Sequence, residues 1–266
     1  MSFNKIIAVM IAALSLAACG TAPKFQERRA AVAPETFSLG ASPVLQQTNH
    51  MTQHLNAEKT IVYTQPFGGG GVALGLLGPF GVAANIAMIE TVTKADTDKL
   101  FGKVMIDPVQ SFRLLADIKR VDLAGAGVAN KLTPYLYVAK TRETTVSVAV
   151  GVLLDTGVPV PSRYVFQLPQ TYSVEQLAAL DAAGTDNLQQ SVDLGFERLL
   201  YFFVKDIGAG ADAEPKIQFK SEFVSPRFDF ELQGSVADKG REVTWVRTYG
   251  AVFGLQNSTF TSKPLR

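Results

Sequence analysis

His50 and His54 stand four residues apart and are the only histidines in the chain. On a helix that spacing puts both imidazoles on one side, where they could share a zinc ion. No Glu follows His50, so the His-Glu-x-x-His pattern of a metalloprotease is missing, and the surrounding stretch is polar. The pair reads as solvated and no metal site is expected. The same placement leaves any Ser-His-Asp triad without a rigidly held base. The single Ser-x-x-Lys match, Ser2 to Lys5, sits at the extreme N-terminus and supports no Ser-Lys hydrolase. Asp229 and Glu231 could serve as acid and base on a glycoside. They alternate with Phe228, Phe230 and Leu232, as the wet face of a half-buried strand does. No catalytic residue is assigned, and the chain is expected not to be an enzyme.

The run Gly68-Gly69-Gly70-Gly71, with Gly75, suggests a phosphate cradle. A P-loop ends in Gly-Lys-Ser/Thr so that the lysine reaches the phosphates, and no lysine occurs between Lys59 and Lys94. No nucleotide is expected. Gly71, Gly75, Gly78 and Gly81 recur at three- or four-residue steps and permit close backbone approach. Two readings stay open for Gly68, Gly71, Gly75, Leu76, Leu77 and Phe80. One is a core helix packed closely on a sheet; the other is an exposed apolar segment for self-assembly or membrane contact. Pro79 and Asn85 argue against a simple membrane span. Trp245, Arg247, Tyr249 and Phe253 fall on one face of an extended run. They could form an aromatic platform beside a cation, or a core layer under a helix with Arg247 reaching an edge. The core layer is the primary expectation.

Cys19 is the only thiol in the chain. It follows Leu16-Ala17-Ala18, which closes the apolar run 6–18 behind Lys5. A charged start, an apolar middle and small residues at the cut make a secretory signal. The run is short for a membrane span, which needs about 20 residues. Leu16, Ala17, Ala18 and Cys19 resemble the lipobox of bacterial lipoproteins. That resemblance covers the first twenty residues. It implies that Cys19 receives a diacylglyceryl group, that the signal is cut before it, and that an acyl chain such as palmitate caps the new amino group. These covalent groups are the only non-protein components expected; no cofactor is. Each buried methylene contributes about 0.8 kcal/mol, and two or more chains anchor stably. Gly20 stands where lipoproteins retained at the inner membrane carry Asp. The resemblance therefore implies the outer membrane and its periplasmic face, with surface exposure as the variant.

Without residues 1–18 the chain has equal numbers of basic and acidic residues. That balance gives no electrostatic reason to bind nucleic acid. With Cys19 lipidated no disulfide or thiolate metal site can form. The remaining length, roughly 200 residues beyond a tether, suits one domain. Residues 19–58 lack a sustained apolar period and read as a flexible tether, compatible with a short amphipathic helix around 46–55. Residues 59–266 read as a single domain.

The elements that must position any site follow from period and punctuation. Thr60-Ile61-Val62-Tyr63-Thr64 is a strand, and 80–100 a helix. Asp107-Pro108 caps a second helix, with Gln110 placed as its capping-box partner. Residues 135–138 and 145–154 form a hairpin in which Val146, Val148, Val150 and Val152 face the core. A strand at 163–168 and a short helix opened by Ser173 and Gln176 follow. Leu188, Val192, Phe196, Leu199, Phe203 and Ile207 define a long helix over 186–207. Strands at 216–223, 227–236 and 242–255 close the chain. The fold class is α+β: a mostly antiparallel sheet of about six to seven strands with two to three packed helices.

These features imply a membrane-anchored accessory lipoprotein whose periplasmic domain binds another envelope component, a protein or a second copy of itself. A self-assembling secretion or pore-associated lipoprotein using 68–89 is the alternative. Its order of elements resembles curli-type secretion lipoproteins at the level of fold alone. A periplasmic hydrolase of cell-wall or lipid substrates is the lesser one.

Overall fold

The computed structural model describes residues 36–42, 45, 49, 51–56, 58, 60–65, 78–119, 121–123, 130–157, 161–209, 214–226, 231–249 and 251–265, with side chains in the first helix described from residue 86. Cys19, His50, Asp229 and the segment 66–77 lie outside them.

The centre is the hairpin of β4 (Lys131–Lys140) and β5 (Val146–Asp155), joined antiparallel along their whole length. Alternation places Val146, Val148, Val150 and Val152 in one apolar cluster, as the sequence predicts, and Ala149 and Leu153 in a second. Both faces of β5 are therefore buried, and its valines serve a sheet covered on two sides rather than a half-wet one. β6 (Ser162–Tyr172) pairs antiparallel with β5.

Two strands share the outer edge of β4, end to end and parallel to it. β1 (Ser38–Leu39) pairs at Lys131 and Leu132, and β3 (Ile61–Thr64) pairs from Leu136 to Ala139. β2 (Thr52–Asn56) closes that side antiparallel to β3. On the other side of β6 come β10 (Val252–Gln256), β9 (Val243–Arg247), β8 (Leu232–Lys239), β7 (Lys216–Ser221) and β11 (Phe260–Pro264), in that order. The β6–β10 pairing is parallel and the rest antiparallel.

Among the described residues four named helices cover one face. α1 is Gly78–Leu100 and α2 is Pro108–Ile118, with the Asp107 side chain accepting from the Gln110 amide at 3.0 Å. α3, Val174–Ala178, opens with a full capping box between Ser173 and Gln176. α4, Ala182–Gly208, buries Leu188, Val192, Phe196, Leu199 and Phe203 against β5 and β6. Gly195 allows the approach: a Cβ there would lie 2.6 Å from Leu168 Cδ2. No described helix is long and apolar enough to cross a membrane.

The other face is covered by the sheet itself. Phe223, just past β7, sits edge-on to Tyr137 of β4 at 6.0 Å and to Phe253 of β10 at 6.3 Å. β7 and β4 are six strands apart in the sheet order. In a flat sheet that is roughly 29 Å, so the contact requires strong coiling. Register shifts at Ser147/Ala149 in β5 and Val236/Asp238 in β8 mark bulges of the kind that increase local twist. The coil encloses Tyr135, Leu153, Val165, Phe219, Val246 and Leu255 as a second core.

The α+β class and the mainly antiparallel sheet agree with expectation. The counts do not: among the described residues eleven strands replace six to seven, and four named helices replace two to three. Three strands come from places the sequence did not offer. Residues 36–56, expected within the tether, hold β1 and β2, with Phe37 and Leu55 buried; a strand, not a helix, occupies 52–56. The run 242–255 breaks at Thr248, whose amide bonds the Ala251 carbonyl, and so makes β9 and β10. β11 follows where no element was assigned.

Tyr135 and Gly151 are cross-strand partners, and the buried Tyr135 ring lies over the glycine; burial pushes its hydroxyl pKa up to about 12. A Cβ at position 151 would stand 2.2 Å from the ring. Gly151→Ala is expected to destabilise the domain by about 1–3 kcal/mol through overpacking, read as a lowered urea midpoint at unchanged slope.

Candidate functional site

The aromatic platform does not form. Trp245 points into the helix-covered core, where it stacks on Phe202 at 4.0 Å and 8°. The turn after β9 reverses the alternation, so Phe253 joins the opposite core, and Tyr249 stands out in solvent at 64% exposure. Arg247, expected at an edge, is 4% exposed.

Arg247 is the centre of a buried charge cluster. Its Nη2 donates to Asp206 Oδ1 at 2.6 Å and to Glu214 Oε1 at 3.1 Å, and its Nε reaches both Glu214 oxygens at 3.2 Å. Tyr164 donates to Asp206 Oδ2 at 2.9 Å, and Ser235 to Glu214 Oε2 at 2.5 Å. Burial opposes the guanidinium charge, but the bonds from Glu214 and Asp206 outweigh it and raise the Arg247 pKa. Burial first, then the Asp206 charge, raises the Tyr164 pKa. Asp206 occupies the last turns of α4, where the helix dipole disfavours a carboxylate; Arg247 supplies the compensation. The cluster ties α4 to β6, β8, β9 and the approach to β7. Closed from solvent, it clamps these elements together.

A second clamp holds α1. Asp96 accepts from Lys140 Nζ at 2.5 Å and from the Tyr63 hydroxyl at 2.6 Å, all buried. Burial first, then Asp96, raises the Tyr63 pKa. Both clamps had a sequence signal. Asp206 follows Phe203 by three residues, and Asp96 precedes Leu100 by four, so each carboxylate sits on an apolar stripe.

The accessible candidate is a groove between α4 and the β8–β9 hairpin. Phe166, Gly195 and Trp245 form its floor. Leu194 and Tyr201 line its α4 side at 60% and 67% exposure. Arg198 crosses it to Glu242, Nη2 to Oε2 at 2.9 Å, and divides it into lobes of about 550 and 540 Å³. Lys119, the C-cap of α2, pairs with Glu197 at 2.7 Å beside the second lobe. Leu194, Arg198 and Tyr201 are a second stripe on α4, visible in sequence only once the core stripe is known to face the other way.

Of the other residues singled out, Gly68, Gly71, Gly75, Leu76 and Leu77 lie outside the described residues, as does the side chain of Phe80. Downstream in α1, Ile86 and Met88 are exposed and Ile89 is buried. His54 lies on β2, an extended strand, so helical ligand spacing does not apply to it. Glu231 is an exposed partner of Lys263 at 2.7 Å. No group of metal-binding side chains occurs among the described residues.

Comparison with protein-family models, with curated proteins and with solved structures yields no match for this chain.

Removing one partner of a buried ion pair costs about 3–5 kcal/mol, because the remaining charge is uncompensated. Arg247→Met is expected to lower stability by that amount in chemical denaturation. The triple variant Arg247→Met, Asp206→Leu, Glu214→Met is expected to recover most of the loss.

Proposed function

We propose that this protein is a non-enzymatic accessory lipoprotein, held by lipid on Cys19 at the periplasmic face of the outer membrane, whose domain binds a segment of another envelope protein. The groove between α4 and the β8–β9 hairpin supports the binding role. Its floor is aromatic, and it exposes Leu194 and Tyr201 beside the Arg198–Glu242 bridge. Apolar concavity with a few oriented polar groups is the usual form of a binding site. The bridge costs little to open, since exposed ion pairs contribute about 0–1 kcal/mol, and each partner could then pair with a charge on the incoming segment. Photocrosslinking groups placed at Leu194 and Tyr201 in cells should give the same protein adduct, with the exposed Lys103 position giving none. Reciprocal crosslinking from that partner should return to the groove. Adducts with lipid alone would sink the idea.

The alternative is a self-assembling secretion or pore-associated lipoprotein that uses the apolar segment 68–89. Ile86 and Met88, exposed on α1 where the segment ends, favour it. Native mass spectrometry of the full chain should then show an oligomer that deletion of 68–78 abolishes; a monomer in both forms counts against assembly.

A further inference from the structure

At one end of the coiled sheet three turns meet around a cleft of about 920 Å³. The β4–β5 turn brings Arg142, the turn after β7 brings Glu222 and Ser225, and the β10–β11 turn brings Ser258, with Phe260 and Thr261 following in β11. These segments are far apart in sequence, yet each is fixed. Arg142 grips Glu222 with two parallel bonds, the Nε one at 2.9 Å. Phe223 packs edge-on against Tyr137 and Phe253 behind that pair. The buried Gln256 side chain donates to the Gln167 carbonyl at 2.6 Å and holds the third turn.

The chemistry of the lining selects a ligand class. Three hydroxyls there are engaged by the fold: Thr141 donates to the Thr145 carbonyl at 3.5 Å, Thr259 donates to Gln167 Oε1 at 3.0 Å, and Ser221 accepts from the Val224 amide at 3.3 Å. Those of Ser225, Ser258 and Thr261, which line the cleft, have no side-chain hydrogen bond among the described residues. The charged lining residues are two cations, Arg142 and Lys220, and two anions, Glu143 and Glu222, so the cleft is formally neutral. Neutrality gives no preference for phosphate or carboxylate. An apolar ligand would strand hydroxyls that water now satisfies, at a cost per buried group. A ligand dense in hydroxyls, each both donor and acceptor, satisfies them and the unused edges of the Arg142–Glu222 plane. The half-buried Phe260 ring offers an apolar face to the C–H side of such a ligand.

We infer that this cleft is a saccharide subsite, taking a short stretch of a neutral glycan. The saccharide class rests on the cleft alone. An envelope source rests on the lipid-anchored reading above: a cell-wall glycan strand for the periplasmic face, or the sugars of an outer-leaflet glycolipid for the surface-exposed variant. The test uses the full chain in detergent micelles, titrated with two probes, a β-linked tetrasaccharide of N-acetylglucosamine and maltotetraose. Binding of at least one probe is expected with a dissociation constant at or below about 1 mM. The double variant Ser258→Ala, Thr261→Ala removes two hydrogen bonds and is expected to weaken it about tenfold. Leu194→Ala, in the groove, should leave it unchanged. A matching thermal midpoint shows that the double variant is folded. Preference for the first probe assigns the cell wall as source, and preference for the second the glycolipid. If neither probe binds, or the folded double variant binds as the parent does, the subsite is overturned. Neither result depends on the groove or on Cys19, so the protein-binding proposal stands or falls separately.

Discussion

Asp206 is the residue on which the arrangement turns. It puts a negative charge into a helix end that the backbone dipole already makes negative, and it buries that charge. Arg247 on β9 relieves both costs, with Glu214 and Tyr164 completing the set. Apolar packing alone would let α4 slide or rotate on the sheet, because hydrophobic contact is non-directional. An ion pair with hydrogen bonds to named atoms admits one register. Once α4 is set, Arg198 lies opposite Glu242 and Lys205 opposite Asp238, and the groove exists between them.

The Asp96 cluster fixes α1 on β3 and β4 in the same way, through a single carboxylate oxygen that receives both Lys140 and Tyr63. The two clamps lie on opposite halves of the sheet. Between them the β4–β5–β6 core is apolar on both faces. The sheet resolves its exposed second face by coiling until Phe223, just past β7, meets Tyr137 of β4. That coil closes the second core, and it also brings three distant turns together to form the hydroxyl-lined cleft. Cleft and core thus share one cause.

Much of the fold was legible in short windows. The α4 stripe, the alternating valines of β5, the Asp107 cap and the Ser173–Gln176 capping box each involve neighbours within a turn or two, and all stand in the structure. The misses also have physical reasons. β1 and β2 are short edge strands in a polar stretch, and they are strands because β4 and β3 offer partners to them. The turn at Thr248 hides in a run with strong β propensity throughout. Arg247 looked like a rim residue because an arginine's partners, here Asp206 and Glu214, cannot be read from its own surroundings.

The sequence by itself determined the local periods, the caps, the class α+β and the single thiol at Cys19 with the lipoprotein resemblance around it. Those depend on residue type and spacing alone. The tertiary structure decided how many strands pair, which charges are buried, and where concave surface lies. Each of these requires groups tens of residues apart to meet, as β10 meets β6 through Val252 and Tyr164, and no window along the chain contains both partners.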